Sequence, residues 1–283
     1  MIRLGTRGSA LALAQAGWVA ERLGTEVELV PIQTSSAPGD KSRFVKEIEH
    51  ALLAGEIDLA VHSAKDVPGE LPSGLSIVGV PEREDPRDAL CGAGSLDELP
   101  AGAAVGTASL RRRAQLAALR PDLEVRELRG NVDTRLRRLA DGGFDSIVLA
   151  AAGLARLGRA SEGTPLDELV PAPGQGCLAL EARSDDDAVA QAAGSITEPA
   201  ALTALTAERA LVTELGATCD TPIGAFAEPI DGGLRLTAFL GHPDGSHWIR
   251  DRLEGDAADP AELGRSVARR LATAGANALL DVR

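Results

Sequence analysis

The sequence GTRGS at residues 5–9 ends a run typical of a β-strand and begins a run with helical periodicity. The sequence GTAS at residues 106–109 occupies the same kind of position, between a predicted strand and a predicted helix. A helix start presents unpaired N–H groups and the positive end of the helix dipole, so each stretch is suited to binding an anion. The simpler interpretation is that Ser9 and Ser109 only cap the two helices. The neighbouring Arg7 and Arg111 favour the alternative, that each stretch binds an anion.

Strands and helices alternate through most of the chain. Strands are predicted at 2–5, 26–32, 59–62, 104–106, 124–128 and 146–150, and helices at 9–23, 42–53, 109–119 and 132–139. This alternation predicts α/β layers with largely parallel sheets. After Pro222 the pattern changes to strands at 223–227, 234–239 and 248–253 and a helix at 260–280, which predicts a separate small α+β domain.

Length and composition limit the class of protein. At 283 residues the chain exceeds the usual size of one domain, so two or three domains are expected. It lacks an apolar run of the ~18 residues that a membrane helix needs and lacks the pattern of a secretory signal, which predicts a cytoplasmic protein. The three cysteines are unevenly spaced, which predicts free thiols and no metal site.

Positive charge is concentrated in one segment of an acidic chain. The net charge is −13, and only three of the 29 basic residues are lysines. Residues 107–138 nevertheless contain nine arginines against four acidic residues. Such a field attracts a small anion, whereas nucleic-acid binding favours a basic surface with many aromatic residues, and only 2% of this chain is aromatic.

Several arginines stand at predicted loops or helix starts, where a side chain can reach a ligand. They are Arg111, Arg112, Arg129, Arg135 and Arg156. A guanidinium is well suited to a bidentate grip on a carboxylate, so this set predicts a ligand with several carboxylates. Four further arginines are interpreted as a solvated face: Arg113, Arg120, Arg137 and Arg138.

Asp66 follows a predicted strand, at the end where ligands bind in open α/β sheets. The following Val-Pro pair favours an extended backbone, so we expect the carboxylate at a chain exit rather than within a helix. Pairing with the adjacent Lys65 is the simpler interpretation. A functional carboxylate here would accept N–H donors or stabilise a cation.

Cys219 follows a helix predicted at 200–215 and a glycine suited to the helix end, so it is expected on an accessible loop. Cys91 and Cys177 are each interpreted as the start of a buried strand. A thiol on a loop can act as a nucleophile, although most single cysteines are inert. Two other classes therefore remain open: a receptor for small anions with a structural Cys219, and a cysteine-dependent hydrolase.

Seven phrases distributed through the chain resemble the porphobilinogen deaminase (hydroxymethylbilane synthase) family, in the family's order. They are GTRGSALALAQ at 5–15, HSAKDVP at 62–68, REDPRDA at 83–89, VGTASLRR at 105–112, LRGNVDTRL at 128–136, PAPGQG at 171–176 and TAERALVTELGATCDTPIG at 206–224. A set of long motifs covering nearly the whole chain is far more specific than a single motif.

The resemblance implies three domains, of which the first two are built like the lobes of a type II periplasmic binding protein with the active site between them. Their limits are expected at 1–80 with 177–195, at 85–172 and at 199–283. It also implies a dipyrromethane cofactor in thioether linkage to Cys219. Four porphobilinogen molecules are expected to be deaminated and joined head to tail on it, and the linear tetrapyrrole to be released by water from a cytoplasmic monomer.

The resemblance also implies residue roles. Asp66 resembles the catalytic carboxylate that stabilises the cation formed as ammonia leaves. Residues similar to the cofactor-binding set are Lys65, Thr107, Ser109, Arg111, Arg112, Arg129, Gly130 and Arg135, together with Cys219. Residues similar to the substrate-binding set are Arg7, Ser9, Gln15, Phe44 and Arg156.

Three departures from the family pattern are expected to matter. The loop at 34–44 is several residues shorter than the family's usual active-site lid, although Lys41 can match the last lysine of that lid. Ala108 stands where the family often has a second serine, and residues 217–218 stand where a Gly-Gly pair often precedes the cysteine. The short loop bears on how the site excludes water.

Overall fold

The structure is a computed structural model that describes residues 1–33, 43–218 and 220–280, with the side chains of residues 43 and 44 left out. The described strands form two five-stranded sheets and one three-stranded sheet. The prediction of two α/β lobes followed by a small α+β domain is therefore confirmed. None of the helices in the described part of the chain combines the length and the apolar character needed to cross a lipid bilayer.

The first lobe contains most of the N-terminal elements and one returning segment. Its elements are β1 (Ile2–Arg7), α1 (Ala10–Ala20), β2 (Val27–Ile32), α2 (Arg43–Leu53), β3 (Leu59–Ser63) and β4 (Leu75–Gly79), joined later by β10 (Leu178–Arg183) and α6 (Asp187–Gly194). The strand order is β2-β1-β3-β10-β4. Leu4, Leu59 and Leu180 are fully buried where the sheet packs on its helices.

The second lobe repeats this arrangement. Its elements are β5 (Asp88–Cys91), β6 (Ala104–Gly106), α3 (Leu110–Leu119), β7 (Glu124–Arg126), α4 (Val132–Ala140), β8 (Ser146–Ala150), α5 (Ala151–Arg156) and β9 (Thr164–Leu166). The strand order is β7-β6-β8-β5-β9. Cys91 ends β5 rather than starting a strand, whereas Cys177 directly precedes β10 as expected.

The prediction of largely parallel sheets is wrong for half of the described strand pairings within the two lobes. Strands β1, β2 and β3 run parallel, but β10 is antiparallel to both β3 and β4. In the second lobe β5 is antiparallel to both β8 and β9. The physical reason is that β5 and β10 each follow a segment in which the chain passes from one lobe to the other, so each enters its sheet from the opposite direction. These segments are residues 80–87, the first passage, and residues 167–177, the second passage.

The C-terminal unit packs two helices against a meander. It contains α7 (Pro199–Glu214), β11 (Ile223–Ile230), β12 (Gly233–Gly241), β13 (Trp248–Gly255), α8 (Pro260–Thr273) and α9 (Asn277–Leu280). Leu211, Leu236 and Val267 are fully buried in its core. The single helix predicted at 260–280 is wrong, because Gly275 adopts a φ of +100° that ends α8 and separates it from α9.

Glu208 of α7 connects the C-terminal unit to both passages between the lobes. Its side chain is fully buried and accepts from Arg83 Nη1 at 2.7 Å in the first passage and from the Gly174 amide at 2.6 Å in the second. It also accepts from the Ala227 amide of β11 at 2.8 Å. One carboxylate therefore fixes three segments that are far apart in sequence.

Replacing Glu208 by Ala should lower the free energy of unfolding by about 3–5 kcal/mol, because the largely buried Arg83 guanidinium would lose its partner. Chemical denaturation followed by circular dichroism measures this change. The matched control is Glu254→Ala, which removes an exposed partner of Arg235 and should cost about 0–1 kcal/mol. Equal effects of the two substitutions would contradict the role given to Glu208.

Candidate active site

A small cavity of ≈ 70 Å³ brings together four of the residues singled out from the sequence. Arg7, Ser9, Gln15 and Asp66 line it, with Val45 and Ser63 among their neighbours. Ser9 caps α1 by accepting from the Ala12 amide at 3.3 Å, as expected for the simpler interpretation of this serine. The cavity thus lies at the start of α1 and at the end of β3.

Asp66 closes a single 3-10 turn, Ala64–Asp66, that directly follows β3. The expectation of a carboxylate outside any helix is wrong in this detail, because the chain makes one helical turn before it becomes extended at Val67. Asp66 remains half-buried. The carboxylate therefore stands at the carboxyl end of a central strand, beside the cavity.

Arg209 of α7 holds the backbone that follows Asp66. Its guanidinium donates to the Pro68 carbonyl at 2.8 Å and to the Gly69 carbonyl at 3.0 Å. A Cβ at Gly69 would lie 3.1 Å from Thr213 Oγ1, so a larger residue would press this loop away from α7. The helix that leads toward Cys219 is therefore in direct contact with the loop that carries Asp66.

Lys65 contacts the second passage between the lobes. Its Nζ donates to Gln175 Oε1 at 3.2 Å. Burial, together with the nearby Arg112 guanidinium, lowers the pKa of Lys65 to about 8. The described contacts thus give Lys65 a neutral partner, and its charge is only moderately favoured at neutral pH.

A buried cluster of one carboxylate and two guanidiniums lies at the start of α3. Asp88, the first residue of β5, accepts from Arg111 Nη1 at 2.6 Å and from Arg112 Nε at 2.9 Å. Arg111 also donates to the Val170 carbonyl and Arg112 to the Val148 carbonyl. Burial alone would raise the pKa of Asp88, but the two guanidiniums hold it well below its usual range.

This cluster defines what Arg111 and Arg112 can do. Both are committed to Asp88 and are only 4% and 5% exposed, so their direct contact with a ligand stays a prediction. Two positive charges face one negative charge, which leaves one positive charge in excess at a buried helix start. Ser109 caps α3 by accepting from the Arg112 amide at 3.4 Å, and its own amide donates to Thr107 Oγ1 at 3.2 Å.

Arg129 and Arg135 add positive charge beside this cluster. Burial and the nearby guanidiniums of Arg112 and Arg129 lower the pKa of Arg135 to about 10. Arg135 Nε donates to the Gly130 carbonyl at 2.7 Å, where Gly130 has a φ of +120°. Arg129 is exposed and pairs with Glu127 at 2.6 Å. The mutual repulsion of these guanidiniums would be relieved by a bound anion.

Arg156 donates a hydrogen bond to a backbone carbonyl. Arg156, the last residue of α5, donates to the Gly176 carbonyl at 2.6 Å and so reaches the second passage between the lobes.

The interpretation of Arg120 as part of a solvated face is wrong. Its half-buried guanidinium donates to the carbonyls of Leu96 and Leu99 and pairs with Asp122.

Three residues named from the sequence fall wholly or partly outside what the structure describes. Cys219 and the side chain of Phe44 lie outside the described residues, as does the loop at 34–42 with Lys41. The other two cysteines are buried, and burial raises the pKa of Cys91 to about 11 and that of Cys177 to about 12. Neither of these two thiols is suited to supply a thiolate near neutral pH.

Sequence reasoning missed Asp88, Gln175 and Arg209. Each lies within a phrase that was singled out, at 83–89, 171–176 and 206–224. Their partners are distant in sequence, so the phrases marked the segments but gave no sign of the pairing. The combination of a carboxylate, an amide and a guanidinium in such phrases is the signal that could have pointed to them.

Nearly the whole chain is similar to known proteins of one family. A family model described as "Porphobilinogen deaminase, dipyromethane cofactor binding domain" matches residues 2–191, and one described as "Porphobilinogen deaminase, C-terminal domain" matches residues 202–273. The porphobilinogen deaminase of Thermus thermophilus is 49% identical over 295 residues, covering 99% of this chain and 98% of that protein. That of Deinococcus radiodurans is 46% identical over 302 residues, with the same coverages.

Solved structures show a weaker likeness. An ancestral cationic amino acid solute binding protein is 16% identical with a TM-score of 0.45, covering 68% of this chain and 86% of that one. The methionine binding protein MetQ is 21% identical with a TM-score of 0.42, covering 69% and 87%. At these TM-scores the likeness carries no argument about the chemistry of the site.

Replacing Asp88 by Asn should lower the free energy of unfolding at pH 7 by about 3–5 kcal/mol, because two buried guanidiniums would lose their counter-charge. The stability that Asp88 contributes is present above the pKa of an unfolded aspartate, about 4, and is lost as the pH falls further. Denaturation measured from pH 7 to pH 3 should therefore show the difference between variant and natural protein shrinking.

The control for this experiment is Asp167→Asn. The Asp167 side chain is 82% exposed and pairs with Arg87. That substitution should change the free energy of unfolding by about 0–1 kcal/mol. A difference between Asp88→Asn and the natural protein that stays constant down to pH 3 would contradict the assignment.

Proposed function

Because the chain belongs to the porphobilinogen deaminase family, we propose that its described side chains divide the family's reaction between the cavity beside Asp66 and the arginines around Asp88. The protein is a hydroxymethylbilane synthase. It deaminates four porphobilinogen molecules, joins them head to tail on a dipyrromethane cofactor and releases the product by hydrolysis. The observation that carries the division of roles is that Asp66 lines a cavity with Arg7, whereas Arg111 and Arg112 are paired with Asp88.

The donor set fits a dipyrromethane, whose pyrroles carry acetate and propionate groups. Arg111 Nε is a buried donor without a hydrogen-bond partner among the described residues. Arg135 lies beside Arg112 and Arg129, and its protonated form would be favoured by a carboxylate. Lys65, Ser109 and the helix start at α3 add further donors. When bound, the dipyrromethane supplies the pyrrole carbon to which substrate units are joined.

We assign the attachment of this group to Cys219. Its position five residues after the end of α7 places it in the segment that follows the helix anchored by Glu208 and Arg209. Cys91 and Cys177 are buried and have raised pKa values, which supports the choice of the third cysteine.

Asp66 is assigned the catalytic role. An ionised carboxylate accepts the N–H groups of a pyrrole and stabilises the positive charge that develops on the substrate as ammonia leaves. Its position at the cavity beside Arg7, Ser9 and Gln15 supports this role. A low-polarity wall such as Val45 would strengthen the attraction between the carboxylate and the cation.

The substrate carboxylates are assigned to residues of both lobes. Arg7, Ser9 and Gln15 line the cavity, and Gln15 Nε2 is held by Ser63 Oγ at 3.0 Å. Arg156 is assigned to the lengthening chain of substrate units, because it lies in the second lobe at the passage between lobes. Phe44 is assigned to contact with the reacting pyrrole on the family resemblance alone.

We also propose domain limits of 1–80 with 177–195, 85–172 and 199–283, supported by the membership of the three sheets. We propose that the protein works as a cytoplasmic monomer. Measurement of its mass in solution by light scattering tests the oligomeric state, and a mass of twice the chain would contradict it.

Replacing Asp66 by Asn should reduce turnover at least about 100-fold, because it removes negative charge opposite a developing cation while keeping the size of the side chain. Release of ammonia and formation of product measure the effect, and thermal denaturation checks the fold. The control is Asp185→Asn, an exposed aspartate, which should keep normal turnover. Comparable turnover of the two variants would show that another group stabilises the cation.

The arginines should be separable by mass spectrometry of the purified and reacting protein. Arg156→Leu should retain the cofactor mass and accumulate species heavier by one to three substrate units, because positioning of the lengthening chain fails. Arg129→Leu should be isolated largely without the cofactor mass. The control is the exposed Arg113→Leu, and identical patterns for all three variants would contradict the division of roles.

A further inference from the structure

Gln175 occupies the segment PAPGQG, whose place in the reaction is so far unassigned. It stands between two glycines with positive φ, Gly174 at +73° and Gly176 at +91°. A Cβ at Gly174 would lie 3.0 Å from the backbone of Ala64, and a Cβ at Gly176 would collide with the Glu84 carbonyl. The two glycines therefore allow the segment of Gln175 to pack closely between the turn of Asp66 and the first passage between the lobes.

The side-chain amide of Gln175 joins groups from both lobes. Its Oε1 accepts from Lys65 Nζ at 3.2 Å. Its Nε2 donates to Asp88 Oδ1 at 2.9 Å and to the Pro86 carbonyl at 2.7 Å. The residue is only 1% exposed, and its own carbonyl accepts from Arg83 Nε at 2.9 Å.

A neutral amide is the side chain that can make these contacts at the lowest electrostatic cost. Its oxygen faces an ammonium and its nitrogen faces a carboxylate, so the amide dipole is favourable at both ends. A carboxylate in its place would repel Asp88, and a hydrocarbon would leave buried groups at Lys65 and Pro86 without partners. Asp88 thereby keeps its charge available for Arg111 and Arg112.

We propose that Gln175 is a positioning residue that links Lys65 to the cluster of Asp88, Arg111 and Arg112, so that the charge of the lysine and the placement of the two guanidiniums are set together. This inference rests on the proposed function, in which Lys65 and these arginines serve the carboxylates of the cofactor. It adds a connection across the boundary between the lobes, from the turn beside the catalytic carboxylate to the anion-binding helix start.

The charged groups around Lys65 determine how a change at Gln175 would be felt. Arg112 and Arg111 at the start of α3 disfavour its charge, whereas Asp66 on its own turn and Asp88 on β5 favour it. With a pKa of about 8, the lysine is charged below that pH and becomes neutral above it. A carboxylate at position 175 should extend the charged range to higher pH, and removal of the amide oxygen should shorten it.

The chain offers a direct measurement, because it contains only three lysines. Protein labelled with ¹³C and ¹⁵N at lysine and carrying its cofactor gives three side-chain signals to follow by NMR as the pH is raised. Lys46→Arg and Lys41→Arg variants assign them. The Lys65 signal should titrate higher by about one pH unit or more in Gln175→Glu and lower in Gln175→Leu.

The same variants test whether this link acts in the reaction. The alkaline limb of the pH profile of kcat/KM should move with the Lys65 titration, upward in Gln175→Glu and downward in Gln175→Leu. Gln191→Glu, which adds the same charge at an exposed position of α6, should move neither. If Gln175→Leu does not fold, Gln175→Met takes its place, because its side chain has nearly the length of glutamine and also lacks the amide oxygen.

An unchanged Lys65 titration in Gln175→Glu would overturn the proposal. A shifted titration with an unmoved alkaline limb would also overturn it, because Gln175 would then be a structural contact only. Failure here is distinguishable from failure of the proposed function. If only the Gln175 proposal fails, Asp66→Asn still loses turnover in the protein that keeps Gln175. If the proposed function fails, Asp66→Asn keeps its turnover.

Discussion

The ion cluster of Asp88 with Arg111 and Arg112 is the constraint on which the rest of the site depends. A buried carboxylate is tolerated only with matched donors, and Asp88 receives them from both guanidiniums and from Gln175. The arginines also bind the carbonyls of Val148 and Val170, so the start of α3 is fixed against β8 and the second passage between the lobes. The remaining positive charge is what makes this helix start suitable for a polycarboxylate.

The C-terminal unit contributes to the site through one helix. Glu208 holds both passages between the lobes, and Arg209, the next residue, holds the backbone after Asp66. The same α7 leads into the segment of Cys219. Adjacent residues of one helix therefore connect the segment of Cys219 to the loop that carries Asp66 and to the boundary between the lobes.

Features that depend on local sequence could be predicted, and features that depend on distant partners could not. Ser9 and Ser109 cap their helices as expected, because a cap needs only the next few residues. The antiparallel entry of β5 and β10 depends on how the chain passes between lobes, which no local pattern encodes. The same holds for Arg120, whose carbonyl partners are more than twenty residues away in sequence, and for the pairing of Gln175 with Lys65.

In the proposed function, the arginine cluster and Asp66 serve a group carried on Cys219. The most direct test is the intact mass of the purified protein, followed by a peptide map. We expect a mass greater than that of the sequence by two linked pyrrole units, located on the peptide that contains Cys219 and absent from Cys219→Ser. An active protein with an unmodified Cys219, or with the added mass on Cys91 or Cys177, would contradict it.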